Sequence, residues 1–181
     1  MTRPPLARAA DSALVVVDIQ ERLAAAMPEA ARAAVIRNTR LLLEAAGRLG
    51  IPVALTEQYP RGLGPTAGDV LAALPEGTRR AEKTCFSCAG AVDPGARAQV
   101  VLAGMEAHVC VLQSALEWRA AGREVFVVED ACCSRNAANH ANAMRRLGLA
   151  GVVVANTESV LFEWLRDARH EQFKAISGLL K

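Results

Sequence analysis

Five short runs of apolar, largely β-branched residues punctuate the chain: ALVVVD at 13–18, IPVALTE at 51–57, QVVLAGM at 99–105, EVFVVED at 124–130 and GVVVAN at 151–156. Each has the length of a strand and is too apolar for a strand with one wet face. Between the first two, Val35, Ile36, Thr39, Leu42, Leu43 and Ala46 recur at three- and four-residue intervals, and Gly50 follows them. That spacing predicts a long helix with one buried face, ended by glycine. The β-α-β alternation predicts an α/β fold, a parallel sheet covered by helices on both sides. RRAEK at 79–83 is a weaker candidate for a further strand. The segment QYPRGLGPTAGD at 58–69 is rich in Gly and Pro and longer than a plain connection requires, so it is a candidate cover for a site. Near the C-terminus, Leu161, Trp164, Leu165, Phe173, Ile176 and Leu180 fall at helical spacing, a pattern open to either core packing or a subunit contact.

Composition narrows this picture. The 181 residues contain no repeat, low-complexity tract or linker, and they are expected to form a single domain over 1–181, with residues 1–10 a candidate disordered tail. The net charge is +2, and the basic residues are scattered rather than gathered in a stripe, so no nucleic-acid partner is expected. MTRPPLARAADS lacks the apolar core of a signal peptide, and no apolar stretch approaches the roughly 20 residues of a membrane span. A cytoplasmic protein without a membrane partner is expected. Five cysteines in such a chain are expected as thiols rather than disulfides.

In open parallel sheets, ligands bind beyond the carboxyl ends of the strands, above all where the strand order reverses. Asp18 ends the first strand there, and Cys110 follows the QVVLAGM strand by a short turn and opens the helix VCVLQSALEWRAAG. Position leaves Asp18 open between a helix N-cap and a functional carboxylate. It leaves Cys110 open between inert core and nucleophile; a helix N-terminus would favour thiolate and lower the thiol's pKa from about 8.5 by a unit or more. Lys83, in AEKTCFSC, gains interest only through partners. Cys85 and Cys88 form a C-x-x-C without the βαβ context of a thioredoxin-like redox pair, and the adjacent Cys132 and Cys133 cannot easily point at one tetrahedral zinc. His108, His140 and His170 show no metal-ligand spacing, and His108 is expected to shape the turn before Cys110.

Taken together, VVVDIQER, LTEQYPRGLGPT, EKTCFSC, GMEAHVCVLQSALEWRAAGREVFVVEDACCSR and the tail SVLFEWLRDARHEQFKAISGLLK closely resemble the isochorismatase-like cysteine hydrolases, and within them the isochorismatase domain-containing subgroup. The likeness runs from about residue 11 to 181. It implies an α/β/α sandwich on a six-stranded parallel sheet of order 3-2-1-4-5-6, whose reversal falls between the strands ending at Asp18 and before Cys110. It implies a catalytic set of Asp18, Lys83 and Cys110, a cis peptide between Met105 and Glu106, and an oxyanion hole made by the backbone N–H groups of Glu106 and Cys110. Gln20, Gln58, Tyr59 and Phe86 are candidate substrate-binding residues by loop position and resemblance, with ordinary loop packing as the alternative. Nicotinamidase-type members carry Asp and His metal ligands after the second strand; TEQYPRGLGPT has no histidine, so neither a metal nor another cofactor is expected. Members that cleave a vinyl ether lack the nucleophilic cysteine, which this chain retains. The expected function is therefore metal-independent hydrolysis of a C–N bond in a small amide or ureide through a Cys110 thioester, by a homo-oligomer of two or more chains. The alternatives are a thiol-based redox sensor, an isochorismatase-type hydrolase and a non-catalytic scaffold.

Overall fold

The computed structural model describes residues 6–181. Residues 1–5 of the expected tail lie outside the described residues. From residue 6 onward the chain is held down: Ala7 is fully buried and its N–H donates to Glu163 Oε2 at 2.7 Å, while the Arg8 N–H donates to Gln99 Oε1.

Six parallel strands form one sheet: β1 (Ser12–Val17), β2 (Val53–Gln58), β3 (Arg79–Lys83), β4 (Gln99–Met105), β5 (Glu124–Cys133) and β6 (Val153–Ala155), in the order β3-β2-β1-β4-β5-β6. The reversal lies between β1 and β4, as the resemblance implied. RRAEK is a true strand at the sheet's edge, and its exposed Arg79 and Arg80 explain its weak apolar signal: an edge needs charge to discourage further pairing. At the other edge, β6 is only three residues long. β5 runs to Cys133, three residues beyond the predicted strand, because it resumes pairing with Met105 after a register shift between Leu102 and Gly104.

Alternation along the strands divides the core into two layers. Leu14, Val16, Val53 and Leu55 face one side and pack with α2 (Glu29–Leu49), α7 (Thr157–Leu165) and α8 (Phe173–Gly178). Val15, Val17 and Ala54 face the other, with α5 (Leu112–Ala120) and α6 (Ala137–Leu149). The predicted helix after β1 is α2, and it ends with Gly50 in the left-handed conformation (φ 64°), which glycine adopts without a Cβ penalty. The tail residues Leu161, Trp164, Leu165 and Ile176 are buried in the first layer, so core packing accounts for that periodicity. Trp164 also donates from Nε1 to Ser12 Oγ at 3.1 Å.

The connection after β1 contains α1 (Glu21–Ala25), and that after β2 contains the short helices α3 (Pro60–Leu63) and α4 (Gly68–Leu71). The Gly/Pro-rich loop does not hang free. Glu57 Oε1 accepts from both the N–H and the hydroxyl of Thr66 at 2.6 Å, and the Ala67 N–H donates to Ile19 O. Among the described residues no helix is long and apolar enough to cross a membrane.

Candidate active site

The carboxyl ends of β1, β2, β3 and β4 bring Asp18, Thr56, Gln58, Lys83 and Glu106 to one edge. Register does most of the positioning: Val17 pairs with Thr56 on one side and Gly104 on the other, and Gln58 pairs with Lys83. Ala54, Thr56 and Gln58 alternate onto the face of Val15 and Val17, the layer that contains Cys88 and Cys110.

Asp18 leaves the strand with φ 52° and is fully buried. Left-handed backbone is unusual for an L-residue and least costly for Asp and Asn among them. Thr56 donates from Oγ1 to Asp18 Oδ1 at 2.7 Å, and Lys83 Nζ lies 2.7 Å from Oδ2. Lys83 is itself almost wholly buried. Its three N–H donors face four oxygens: Asp18 Oδ2 and Gln58 Oε1 at 2.7 Å, Phe86 O at 3.0 Å and Cys85 O at 3.2 Å. Two buried charges in such a cradle are tolerable only as a pair, because each offsets the other's lost hydration.

Cys110 does not open an ordinary α-helix. It is the fourth residue of a π-helical segment, Ala107–Val111, which runs into α5. The Glu106 carbonyl accepts from Val109 at 3.0 Å and, five residues on, from Val111 at 3.3 Å, which leaves the intervening Cys110 N–H outside that ladder. The Met105–Glu106 peptide bond is cis. The Cys110 thiol is buried within reach of the Asp18 charge. Its pKa is pushed up to about 12, first by burial and then by the Asp18 charge, with Lys83 pulling the other way. The helix-terminus effect expected from the sequence therefore loses: desolvation beside an anion opposes the thiolate more than the helix end favours it. At neutral pH the resting group is a thiol next to a carboxylate.

The remaining expected residues divide. Gln20 is fully buried and its amide is committed: Oε1 accepts the Gln58 N–H at 2.7 Å, while Nε2 donates to Gly64 O at 2.6 Å and Gln58 O at 3.1 Å. It fastens the loop after β2 to the loop after β1. Gln58 likewise spends its side chain on the protein, accepting from Lys83 and donating from Nε2 to Thr84 O at 2.7 Å. Tyr59 and Phe86 are each 55% exposed, and their backbones belong to the same cradle: the Tyr59 N–H donates to Lys83 O, and Phe86 O accepts from Lys83 Nζ. A cavity of about 390 Å³ opens beside them, lined by Tyr59, Pro60, Arg61, Glu82, Lys83 and Thr84. A larger one, about 450 Å³, lies at the amino ends of β1, β2 and β3 among the α2–β2 turn and residues 75–79 and 93–97, away from this chemistry. The Glu106 side chain turns to Arg135, accepting from its N–H at 2.9 Å and its Nε at 3.1 Å, and so ties the end of β4 to that of β5. His108 Nδ1 lies 2.9 Å from Ser134 Oγ, which fits a turn-shaping role.

Two contributors went unseen in the sequence, Thr56 and Ser114. Ser114 Oγ donates to Cys110 O at 2.6 Å and accepts the Cys88 N–H at 2.8 Å, joining the loop after β3 to the cysteine's helix. Burial pushes the Cys88 thiol up to about 11. Cys132 and Cys133 are also buried, and their thiols are likewise raised by burial. Among the described residues no group of three or more His, Cys, Asp and Glu side chains could hold a metal ion.

Comparison with known proteins gives this geometry its relatives. The family model described as the isochorismatase domain matches residues 12–159. Isochorismatase domain-containing protein 2A of Mus musculus is 40% identical over 145 residues, covering 77% of this chain and 69% of its own. Isochorismatase domain-containing protein 2 of Homo sapiens is 36% identical over 190 residues, covering 99% and 88%. Among solved structures, the MAR1 ribonuclease of Caenorhabditis elegans superposes with a TM-score of 0.90 at 34% identity over 96% of this chain and 91% of that one. YcaC from Pseudomonas aeruginosa, solved with hexane-2,5-diol and covalent acrylamide, does so at 0.89 and 26% identity over 99% and 93%.

Proposed function

The chain belongs to the isochorismatase family, a hydrolase fold, and from that premise we propose that it is a metal-independent cysteine hydrolase cleaving a C–N bond of a small amide or ureide. One observation carries the reading: a buried Cys110 thiol under the direct influence of an Asp18 carboxylate that is ion-paired to Lys83 at 2.7 Å.

As Cys110 Sγ attacks the carbonyl carbon, its proton passes to Asp18, and one negative charge leaves the carboxylate for the sulfur and then for the carbonyl oxygen. Lys83 stays ionised beside that charge throughout. A thiol held near pKa 12 stores no thiolate in advance, so proton transfer accompanies attack and needs a base in contact. The backbone N–H groups of Glu106 and Cys110 are the donors for the tetrahedral oxyanion. An amide nitrogen leaves poorly as an anion; the proton now on Asp18 goes to it as the C–N bond breaks. Asp18, again a carboxylate, takes a proton from water, the resulting hydroxide attacks the thioester carbon, and the acid departs as sulfur regains its proton. Tyr59 and Phe86 at the rim are the side chains left free to meet the substrate. Gln20 and Gln58 act through the loops and Lys83.

The test is ammonia release from a panel of small amides and ureides. Wild type is expected to turn over at least one of them, Cys110→Ala to fall to the uncatalysed baseline, and Asp18→Asn to lose about 10² to 10⁴-fold. Turnover that survives Cys110→Ala would sink the covalent route. The ribonuclease among the similar structures supplies a rival for the same experiment. RNA degraded by wild type and spared by Cys110→Ala, with no amide hydrolysed, would replace the amide reading.

A further inference from the structure

The two oxygens of Asp18 meet different donors, and these are not equivalent. An ammonium covers Oδ2, so a proton added there would be pressed against the Lys83 N–H donors at 2.7 Å. The other oxygen, Oδ1, meets the Thr56 hydroxyl at 2.7 Å. Of the two donors, ammonium and hydroxyl, only the hydroxyl can also accept; an ammonium has no lone pair.

We propose that Thr56 is a positioning residue for proton transfer: its hydroxyl holds the carboxylate turned so that Oδ1 is the oxygen that takes and returns the Cys110 proton. While Asp18 is ionised, Thr56 donates to Oδ1. When Cys110 reacts, the S–H bond breaks, its electron pair forms the new S–C bond, and the proton forms an O–H bond on Oδ1. The Thr56 hydroxyl then turns so that its oxygen faces the new O–H, and Asp18 keeps a partner in both states. Nothing else replaces it easily. Thr56 is fully buried, and the β1–β2 register places it beside Val17, the residue before Asp18, whose N–H also donates to Thr56 O at 3.1 Å. A valine at 56 would suit the strand equally well, so the hydroxyl is unexplained by packing.

This inference rests on the reading of Cys110 and Asp18 as nucleophile and base, and the test keeps the two apart without needing the natural substrate. Acrylamide alkylates Cys110 under reducing conditions over a range of pH, with the modified peptide quantified by mass spectrometry and the exposed Cys85 as an internal measure of reagent reactivity. In wild type, alkylation of Cys110 is expected to proceed well below the thiol's own titration near 12, because Asp18 takes the proton as sulfur attacks. In Thr56→Val the Cys110 rate, relative to that of Cys85, is expected to fall about tenfold, the loss of one hydrogen bond to a charged group. Thr56→Ser should restore it. If Thr56→Val does not fold, Thr56→Ala against Thr56→Ser makes the same comparison, since both lose the methyl and they differ in the hydroxyl. A wild-type profile in Thr56→Val, or in Thr56→Ala, overturns the role of Thr56. An undiminished Cys110 rate in Asp18→Asn overturns the underlying reading instead.

Discussion

Lys83 and Asp18 exclude water from one another's charges, and each is costly to strand. In Lys83→Met the carboxylate stays buried with a hydroxyl as its remaining side-chain donor, and urea unfolding should register a loss of about 3–5 kcal/mol. Adding Asp18→Asn to that variant should recover part of the loss, since the pair is coupled and the single change leaves an uncompensated charge; a double variant less stable than Lys83→Met would contradict this. Asp18, Lys83 and Cys110 could be read from the chain because each stands at the end of a strand or a few residues beyond it. Thr56 could not, because a threonine in a buried strand is ordinary β-branched material and its hydroxyl acquires meaning only across a register. For Gln20 and Gln58, loop position says where an amide stands, and only the folded chain shows that it bonds to Gly64, Thr84 and Lys83.

Among the elements, β4 carries the tightest tolerance. Gly104 has φ 140°, and a Cβ there would lie 2.0 Å from Val17 O, on the residue before Asp18. Gly104→Ala should therefore push β1 and β4 apart at the base of the site, costing about 1–3 kcal/mol from overpacking alone and reducing Cys110 alkylation together with stability. Wild-type stability in that variant would show that the strands can spread without cost. The apolar runs sufficed to locate five strands, since burial on both faces leaves a hydropathy signal. They did not reveal the π-helical segment before α5 or the extension of β5 to Cys133. Both depend on how backbone groups pair across β4, β5 and the adjoining turn, and the order of hydrophobic and polar positions carries no trace of that. The Gly/Pro-rich composition of 58–69 marked a special loop, while its anchors, Glu57 to Thr66 and Gln20 to Gly64, are single side-chain contacts.

For the whole molecule, the buried thiols give stability an alkaline limit. Cys88 at about 11 and Cys110 and Cys133 at about 12 all stand above the ordinary value of 9.0, and burial is the first cause of each. Above pH 9 the unfolded chain releases these protons while the folded chain keeps them, so stability falls as pH rises from about 9 toward 12 and is fully present below 9. Urea midpoints under reducing conditions should drop between pH 8.5 and pH 10.5, a range chosen as roughly spanning the first half of that window; a constant midpoint would mean that the thiols are better solvated than their burial implies. Tyr59, Phe86, Leu149 and Phe162 remain exposed on the single chain, and we expect a homo-oligomer, which sedimentation equilibrium would give as a multiple of the monomer mass. A monomer at all concentrations would contradict it. The α/β class and strand order followed from alternation and family likeness; the neutral, proton-holding state of Cys110 did not, because it reflects desolvation by the assembled second layer. Covalent catalysis by Cys110 is tested by acid-quenched mass spectrometry of the protein during turnover of an amide that releases ammonia. The expected result is an acyl adduct on the Cys110 peptide that hydroxylamine removes and that Cys110→Ala lacks. Steady turnover with Cys110 unmodified at every quench time, even in a variant slowed at Asp18, would contradict it.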